Sequence, residues 1–351
     1  MERTRRRRLA DGLAAALLGA GALIVYATTL APTVLGGDGG EFQFVPYLLG
    51  VAHPTGYPLY CLLGWAWSHL LPLGDVAYRM NLFSALWAAA AAGLLYPTAL
   101  HLLGRAIPDV PPALKRLAAA LASATLALTP TLWSQAVIAE VYGLHIFLVV
   151  LFFYFLLRWG EDRRPRSLLW AAATFGLGLA HHRTTLLLAP AALAYVWLED
   201  RRPLDDWRLV EGQRIPPLAA GGLLLAACAL PLLLYLYIPL RAPHTPYLVQ
   251  PLTEARSLVL YENMPAHFLD FVLGGPFGGS VDLSVDLGAR LGMAWDLLRN
   301  EVTWAGLALA MAGIAALVLA RRWALLALTG LTYGALVAFN LVYTIGDIFV
   351  L

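Results

Sequence analysis

Long apolar runs, separated by shorter polar segments, dominate the chain. Several of these runs approach or exceed the ~20 residues that a helix needs to cross a bilayer. They predict an all-α polytopic membrane protein with about nine spans, at residues 13–30, 79–103, 115–132, 141–158, 167–181, 183–198, 216–239, 301–320 and 323–343.

The basic residues predict how these helices are oriented. If the N-terminus is cytoplasmic, 18 of the 24 Lys and Arg residues lie in the N-terminal tail and in the inner loops near 104–116, 158–166, 199–215 and 321–322. Such an excess is typical of cytoplasmic loops. The six on the outer side are Arg79, Arg183, Arg241, Arg256, Arg290 and Arg299. We therefore expect a multi-pass protein of the plasma or inner membrane with a cytoplasmic N-terminus.

Two larger segments lie on the outer side in this topology, residues 31–78 and 241–300. The apolar run from Tyr57 to Leu71 is short, and treating it as a span would move most arginines in the later loops outside. It contains two tryptophans, which favour membrane interfaces. We predict that this run and residues 41–51 form two juxtamembrane helices. Residues 241–300, rich in Pro and Gly, are expected to form short helices and loops over the outer mouth.

Composition excludes several classes of protein. The chain has 351 residues, of which 60% are hydrophobic and 13% charged, whereas soluble domains have about 25% charged residues. The dense basic run near the N-terminus abuts a predicted span, which gives no support for nucleic-acid binding. The two cysteines lie in apolar segments and suggest neither a disulfide framework nor a metal site. The chain has no P-loop, no GxSxG motif and no Rossmann-type nucleotide-sugar domain.

Asp38 and Glu41 lie among four glycines just after the first apolar run, and they are the candidate catalytic residues. A carboxylate can take the proton of an acceptor hydroxyl during sugar transfer. Asp38 is equally suited to cap a helix that begins near Glu41, because Asp before a helix accepts amide hydrogen bonds. Glu41 is suited to orient an acceptor, to bind a divalent cation or only to complement the helix dipole.

Further polar groups reach the same outer side from several connections. The candidate substrate-binding residues are His53, Tyr57, Glu140, His181, His182, Arg183 and Arg241, and Trp133, Gln135, Tyr142 and Asp347 lie on the same side. Ionisable groups near the membrane usually face a polar cavity or a partner. The His-His-Arg run and Arg241 offer donors suited to a phosphate. Alternatives are a turn held by prolines at His53, a helix break at His181 to Arg183, and a snorkelling Arg241. We do not favour a zinc site at the adjacent His181 and His182, because neighbouring side chains on a helix point in different directions and no nearby cysteine completes a ligand set.

Seven segments together resemble a known family, once described only as a domain of unknown function, whose animal members are transmembrane O-mannosyltransferases. In chain order they are TLAPTVLGGDGGEF, GVAHPTGYPLY, GDVAYRMNLFSAL, WSQAVIAEVYGLH, GLGLAHHRT, YLYIPLRA and YTIGDIFV. The resemblance runs from about residue 20 to the end. It implies a GT-C-like helical bundle, a polyprenyl-phosphate sugar as donor and a protein or glycan acceptor.

By this resemblance Asp38 matches the acidic position of the first-loop motif, with Glu41 as its companion. His53 matches a His-Pro turn, His181 and His182 match paired histidines, and Arg241 matches the arginine that closes the seventh span. Thr55 stands where family members often have a second proline. Because the family usually continues with further spans and a soluble domain, we expect residues 1–351 to be the membrane-embedded module of a longer protein.

The sequence therefore favours an inverting transferase that moves a hexose to an acceptor hydroxyl outside the cytoplasm. A divalent cation is left open as a cofactor. The alternatives are a lipid-linked glycan flippase or carrier and a non-catalytic scaffold subunit. Transporters often place charged sites at the midplane between repeated halves, whereas the polar groups here gather at one predicted interface.

Overall fold

The protein is mostly helical. The computed structural model describes residues 2–210, 213–253 and 256–344. The α-helices are α1 (Glu2–Thr28), α2 (Gly37–Phe44), α3 (Pro58–Leu70), α4 (Val76–Ala106), α5 (Pro112–Leu128), α6 (Pro130–Ala136), α7 (Tyr142–Asp162), α8 (Pro165–His181), α9 (Ala189–Glu199), α10 (Pro217–Ala229), α11 (Tyr237–Arg241), α12 (Pro265–Leu273), α13 (Leu287–Leu319) and α14 (Trp323–Val342). Short 3₁₀ helices cover Arg183–Leu188, Leu230–Leu236, Ala242–His244, Pro246–Leu248 and Gly275–Ser280.

Six of the described helical segments are long and apolar enough to cross a membrane. They are Arg5–Thr28, Val76–Ala106, Tyr142–Asp162, Pro217–His244, Leu287–Leu319 and Trp323–Val342. A seventh is counted if the bent pair α5 and α6 forms one span. Large apolar side chains remain exposed on their outer faces, Leu17 and Leu309 among them, as expected where the solvent is lipid. The chain is an integral, multi-pass membrane protein.

The predicted spans at 167–181 and 183–198 are not among the described segments long enough to cross a membrane. Helix α8 has 17 residues, and the second stretch is divided between a six-residue 3₁₀ helix and the 11 residues of α9. The predicted span at 115–132 is bent by 59° between α5 and α6. Pro130 is the cause, because it disfavours helical geometry in the preceding residue, and Thr129 is extended with φ −62° and ψ 135°.

The fold contains two short hairpins that an all-α prediction omits. Strands β1 (Trp207–Val210) and β2 (Gln213–Ile215) are antiparallel, as are β3 (Val249–Thr253) and β4 (Arg256–Val259). Each strand has three to five residues. They are too short to give a clear alternation of apolar and polar residues, which is the main signal for strands.

Two helices follow the first apolar helix. Helix α2 covers Gly37–Phe44 rather than the predicted 41–51, α3 covers Pro58–Leu70, and their place at a membrane surface stays a prediction. Helix α3 begins at Pro58, whose fixed φ suits the first helical position. Helix α2 is tied to α4 by Gln43, whose amide donates to Asn81 Oδ1 over 3.0 Å and to the Thr33 carbonyl over 3.2 Å. Asn81 in turn donates to the Ala31 carbonyl over 2.8 Å. Because Gln43 and Asn81 are buried, these bonds fix α2 against the bundle.

A buried apolar cluster supports one end of the bundle. Phe42 of α2, Tyr60 of α3, Met80 of α4, Leu144 of α7 and Ile238 of α11 all belong to it. Each of these side chains is at most 2% exposed. The cluster therefore packs α2 and α3 against three other helices and supports the neighbouring polar residues of α2 and the His-Pro turn.

Candidate functional site

Asp38 lies in the first turn of α2, and its carboxylate is not used as a helix cap. The residue at the capping position is Gly36, with no side-chain hydrogen bond. Asp38 is exposed, and its carboxylate makes no hydrogen bond or ion pair to any residue in the described ranges. The structure thus removes the capping alternative and leaves this carboxylate accessible.

Two of the neighbouring glycines are required by the backbone. Gly37 has φ +63°, in the left-handed region that favours glycine. A Cβ on Gly40 would lie 2.4 Å from the Leu35 carbonyl oxygen, so only glycine fits where the loop packs onto α2. A Cβ on Gly36 would meet no atom within 4 Å. The glycines therefore shape the tight entry into the helix that presents Asp38.

Glu41 and His53 form a bidentate pair beside Asp38. The His53 backbone N–H donates to one carboxylate oxygen of Glu41 over 2.7 Å, and His53 Nδ1 lies 2.6 Å from the other. Burial lowers the pKa of His53, whereas the hydrogen bond to Glu41 and the charges of Glu41, Asp38 and Glu140 raise it, and the net shift is upward. Glu41 therefore holds the His-Pro turn against α2 by an ion pair when His53 is protonated.

A cavity of about 430 Å³ opens next to Asp38, and we name it the first cavity. It is lined by Asp38, His53, Thr55, Tyr57, Tyr142, His182, Arg183, Thr184, Leu186, Leu187, Leu273, Gly274, Gly275, Phe277, Gly278, Val281, Phe339 and Tyr343. Five of the predicted site residues are among them: Asp38, His53, Tyr57, His182 and Arg183. The structure thus brings the acidic loop, the His-Pro turn and the His-His-Arg run to one cavity.

Aromatic rings connect the two sides of the first cavity. The Tyr57 ring lies 5.3 Å from the His53 ring and 6.3 Å from the His182 ring, measured between centroids. Burial raises the pKa of Tyr57, so its phenol stays neutral at physiological pH. Tyr57 can therefore donate a hydrogen bond but adds no negative charge to the cavity.

Arg183 faces the first cavity beside the C-terminal end of α12. Its Nη1 donates a short hydrogen bond to the Leu273 carbonyl, one of the last carbonyls of that helix, where a cation is favourable. The side chain is exposed. Its guanidinium carries five donors in a planar fork suited to phosphate, so the group can bind an anion in the cavity with its remaining N–H groups.

Four predicted site residues do not line the first cavity. Glu41 is hydrogen-bonded to His53 but does not itself line the cavity. Glu140 is 8% exposed, and its backbone N–H donates to Ser84 Oγ over 2.9 Å. His181 is fully buried, and its Nε2 donates to the Val141 carbonyl over 2.9 Å. Arg241 donates from Nε to the Leu49 carbonyl over 2.8 Å, which holds the end of the segment after α2.

Asp347 lies outside the described residues. Residues that the sequence did not indicate also contribute to the cavity walls. Thr184 and Phe277 line the first cavity, and His145 lies one turn into α7, 4.6 Å from the His182 ring between centroids. His145 is the last residue of the WSQAVIAEVYGLH segment and lies in an apolar helix, three residues after Tyr142 on the same face; that segment and this spacing were the signals for it.

Asp38, Glu41 and His53 together could hold a cation. One ligand atom from each lies within 4.8 Å of the others. Carboxylate oxygens and an imidazole nitrogen are ligands for several divalent metals. The residue types fit, but His53 Nδ1 and Glu41 are already hydrogen-bonded to each other, so a cation would have to replace that bond.

The chain is similar to one described family. Residues 38–204 match the model of the protein O-mannosyl-transferase TMEM260 N-terminal domain. The protein O-mannosyl-transferase TMEM260 of Mus musculus is 35% identical over 167 residues, which are 46% of this chain and 22% of that protein. The protein O-mannosyl-transferase tmem260 of Dictyostelium discoideum is 26% identical over 203 residues, which are 53% of this chain and 24% of that protein. No solved structure is significantly similar to the chain.

The matched range begins at Asp38 and includes Arg183, whereas Arg241 lies beyond its end. The similarity spans less than a quarter of the length of these two relatives. Residues 38–204 are therefore similar to the N-terminal domain of the protein O-mannosyl-transferase TMEM260 family.

Proposed function

We propose that the chain is an inverting glycosyltransferase of the GT-C type. It moves a hexose, in this proposal mannose, from a polyprenyl phosphate to an acceptor hydroxyl, for instance of a protein Ser or Thr. The observation that carries the proposal is the unpaired carboxylate of Asp38 on a cavity that Arg183 and His182 also line. The transferase names of the relatives support the same reaction class.

The reaction needs a base on one side of the sugar and positive charge on the other. The acceptor oxygen forms a bond to the anomeric carbon, and its proton passes to Asp38. The bond between the anomeric carbon and the phosphate oxygen breaks, and the polyprenyl phosphate leaves with the bonding electrons. Arg183 and His182 bind the phosphate and stabilise the charge that develops on it. Tyr57 and His53 lie between these groups and contact the sugar.

The proposed topology places this cavity on the extracytoplasmic side. Nine spans would include α8 and the stretch from Arg183 to Glu199, together with the long helices already described. Helices α2 and α3 would then lie in the outer interface. The positive-inside bias supports this arrangement. A divalent cation would be held by Asp38, Glu41 and His53 and would supply Lewis-acid chemistry there.

The test is transfer of radiolabelled mannose from a polyprenyl phosphate to a Ser- and Thr-rich peptide by the full chain in detergent. We expect Asp38→Asn to lower the rate by about 10²–10⁴-fold, the range for loss of a general base, without weakening donor binding. Asp75→Asn is the matched control. Asp75 is also an exposed acid of the first outer segment, but it caps α4 by accepting from the Tyr78 N–H, and Asn caps equally well.

Transfer by Asp38→Asn at the wild-type rate would refute the role of Asp38 as base. If the label remained on the lipid with the wild-type chain, the transferase proposal itself would fail. A carrier or a scaffold would then be the better explanation. The transferase names of the relatives do not favour those alternatives.

A further inference from the structure

A second cavity adjoins the first one and shares a wall with it. It has a volume of about 270 Å³ and lies between α5, α6, α7, α14 and the 3₁₀ helix Arg183–Leu188. Four residues line both cavities: Tyr142, His182, Thr184 and Phe339. His145 lines the second cavity but not the first. The shared wall is therefore partly polar.

A hydrogen-bond chain runs through this wall. His145 Nε2 lies 3.1 Å from Thr184 Oγ1, and Thr184 Oγ1 lies 2.7 Å from His182 Nδ1. The Nδ1 atom of His145 is buried and has no hydrogen-bond partner among the described residues. The two imidazoles are thus connected through one hydroxyl, and none of the sequence patterns or relatives assigns His145 or Thr184 a role.

The chemistry of a hydroxyl restricts the protonation of both rings. Thr184 has a single hydroxyl proton, so it can donate to only one imidazole and must accept from the other. If both rings donated to the hydroxyl, the hydroxyl proton would have no acceptor. If neither ring donated, the hydroxyl could make only one of the two hydrogen bonds. Neutral His145 and His182 must therefore carry their protons on the nitrogen of the same name, either both on Nε2 or both on Nδ1.

The two hydrogen bonds can run from His145 through Thr184 to His182, or in the opposite direction. The buried Nδ1 atom of His145 favours the first of these. If the chain ran from His182 to His145, Nδ1 of His145 would carry a buried N–H without an acceptor, which costs about 1–3 kcal/mol. Orphaned buried N–H groups are rarer in proteins than under-used acceptors. The favoured direction is therefore from His145 Nε2–H to Thr184, and from the Thr184 O–H to His182 Nδ1.

We propose that His145 and Thr184 are positioning residues that hold His182 as a hydrogen-bond donor to the phosphate in the first cavity. With Nδ1 occupied by the Thr184 hydroxyl, the proton of His182 resides on Nε2. His182 adjoins Arg183 on the wall of the first cavity, so the two residues together donate to one anion. The identity of the anion rests on the proposed function, whereas the order of the hydrogen bonds does not.

The first test reads the His182 tautomer and needs no activity. The full chain, which has eight histidines, is labelled with ¹⁵N- and ¹³C-histidine in lipid nanodiscs, and the His182 signals are assigned with His182→Gln. We expect Nδ1 of His182 to be unprotonated and hydrogen-bonded in the wild type. In Thr184→Val we expect His182 to populate both neutral tautomers, whereas Thr184→Ser should keep Nδ1 unprotonated.

Two variants of His145 distinguish the roles of its two ring nitrogens. The amide nitrogen of Gln occupies roughly the place of Nε2, so His145→Gln should preserve the donor to Thr184. The amide nitrogen of Asn occupies the place of Nδ1, so His145→Asn should behave like Thr184→Val. The matched control is Thr332→Val, because Thr332 also lines the second cavity and its hydroxyl donates to the Leu328 carbonyl of its own helix.

The second test measures transfer from polyprenyl-phosphate mannose. We expect Thr184→Val and His145→Asn to raise the KM for the donor about three- to tenfold, the value of one net hydrogen bond, with Thr184→Ser and His145→Gln near the wild type. A His182 with its proton on Nδ1, or an unchanged His182 tautomer in Thr184→Val, would overturn the inference even if transfer occurs. The expected tautomers without any transfer would instead refute the proposed function and leave the positioning chain standing.

Discussion

Gly40 gives the sharpest prediction about how Asp38 is presented. Gly39 and Gly40 are neighbours in the first part of α2, yet an added methyl group meets different surroundings. At Gly39 the nearest atom would be Leu35 Cδ1 at 3.5 Å, an ordinary contact. At Gly40 it would be the Leu35 carbonyl oxygen at 2.4 Å. The same substitution, glycine to alanine, should therefore have opposite effects at the two positions.

The magnitudes follow from two opposing contributions. Replacing Gly by Ala in a helix stabilises it by at most about 1 kcal/mol. Forcing a methyl group into a filled space costs typically about 1–3 kcal/mol, and a backbone oxygen cannot move aside as a flexible side chain can. We expect Gly39→Ala to be neutral or slightly stabilising and Gly40→Ala to be destabilising, with a difference of about 2 kcal/mol between them.

The assay is unfolding of the purified chain by increasing SDS in mixed micelles, followed by helical circular dichroism. Gly36→Ala is a further control, because a Cβ there meets no atom within 4 Å. In the transfer assay we expect Gly40→Ala to lower the rate about 10²-fold, since a shift of about 1 Å in a catalytic group has that effect. Equal stability and equal transfer in Gly39→Ala and Gly40→Ala would refute the close packing of the loop onto α2.

Three further predictions concern the surroundings of the site. Asn81→Ala removes the bonds to Gln43 and to the Ala31 carbonyl, and we expect the free energy of unfolding in SDS to fall by about 2–4 kcal/mol; a smaller loss than 1 kcal/mol would contradict a buried network. Because the pKa of His53 is raised in the folded protein, its ion pair stabilises fully below the unfolded pKa of about 6.5 and this stabilisation is lost as the pH rises through the folded pKa. The stability difference between the wild type and His53→Gln should therefore shrink with rising pH, and a difference that grows would show that the charge interaction has the opposite sign. Arg183→Gln should raise the donor KM about tenfold or more, whereas Arg241→Gln, which removes bonds to backbone carbonyls outside the first cavity, should lower stability and leave the KM unchanged; the reverse pattern would make Arg241 the phosphate ligand.

Helix positions were largely predictable because each long helix presents apolar side chains to lipid. Two helices after the first span were also expected, since the tryptophans between Tyr57 and Leu71 are a local signal, but the first of them was predicted at 41–51 and is observed at Gly37–Phe44. The number of spans was less accessible from the sequence. Hydropathy alone does not reveal the bend at Thr129, because that bend is caused by a single proline, Pro130, within an apolar run. It also does not distinguish a helix that crosses the membrane from a shorter apolar helix such as α8, which has 17 residues.

The site was partly predictable for a similar reason. Asp38, His53 and the His-His-Arg run are polar residues in segments where polarity is costly, so they were visible in the sequence. The pairing of His53 with Glu41 was not visible in the sequence, because their hydrogen bonds depend on how the His-Pro turn folds back onto α2. His145 and Thr184 were missed since their bond joins two helices that are 39 residues apart in the chain.

The two walls of the first cavity come from distant parts of the chain, which has a consequence for how specificity can change. Asp38, His53 and Arg183 lie within the range shared with the family, whereas Phe277, Val281 and Tyr343 lie after it. The later wall is joined to the end of α14 by a short bridge between Val281 and Tyr343 and by the bond from the Asp282 N–H to the Val342 carbonyl over 2.8 Å. If the proposed transfer takes place in this cavity, substitutions in the later wall would change which acceptor fits while Asp38 and Arg183 keep their roles.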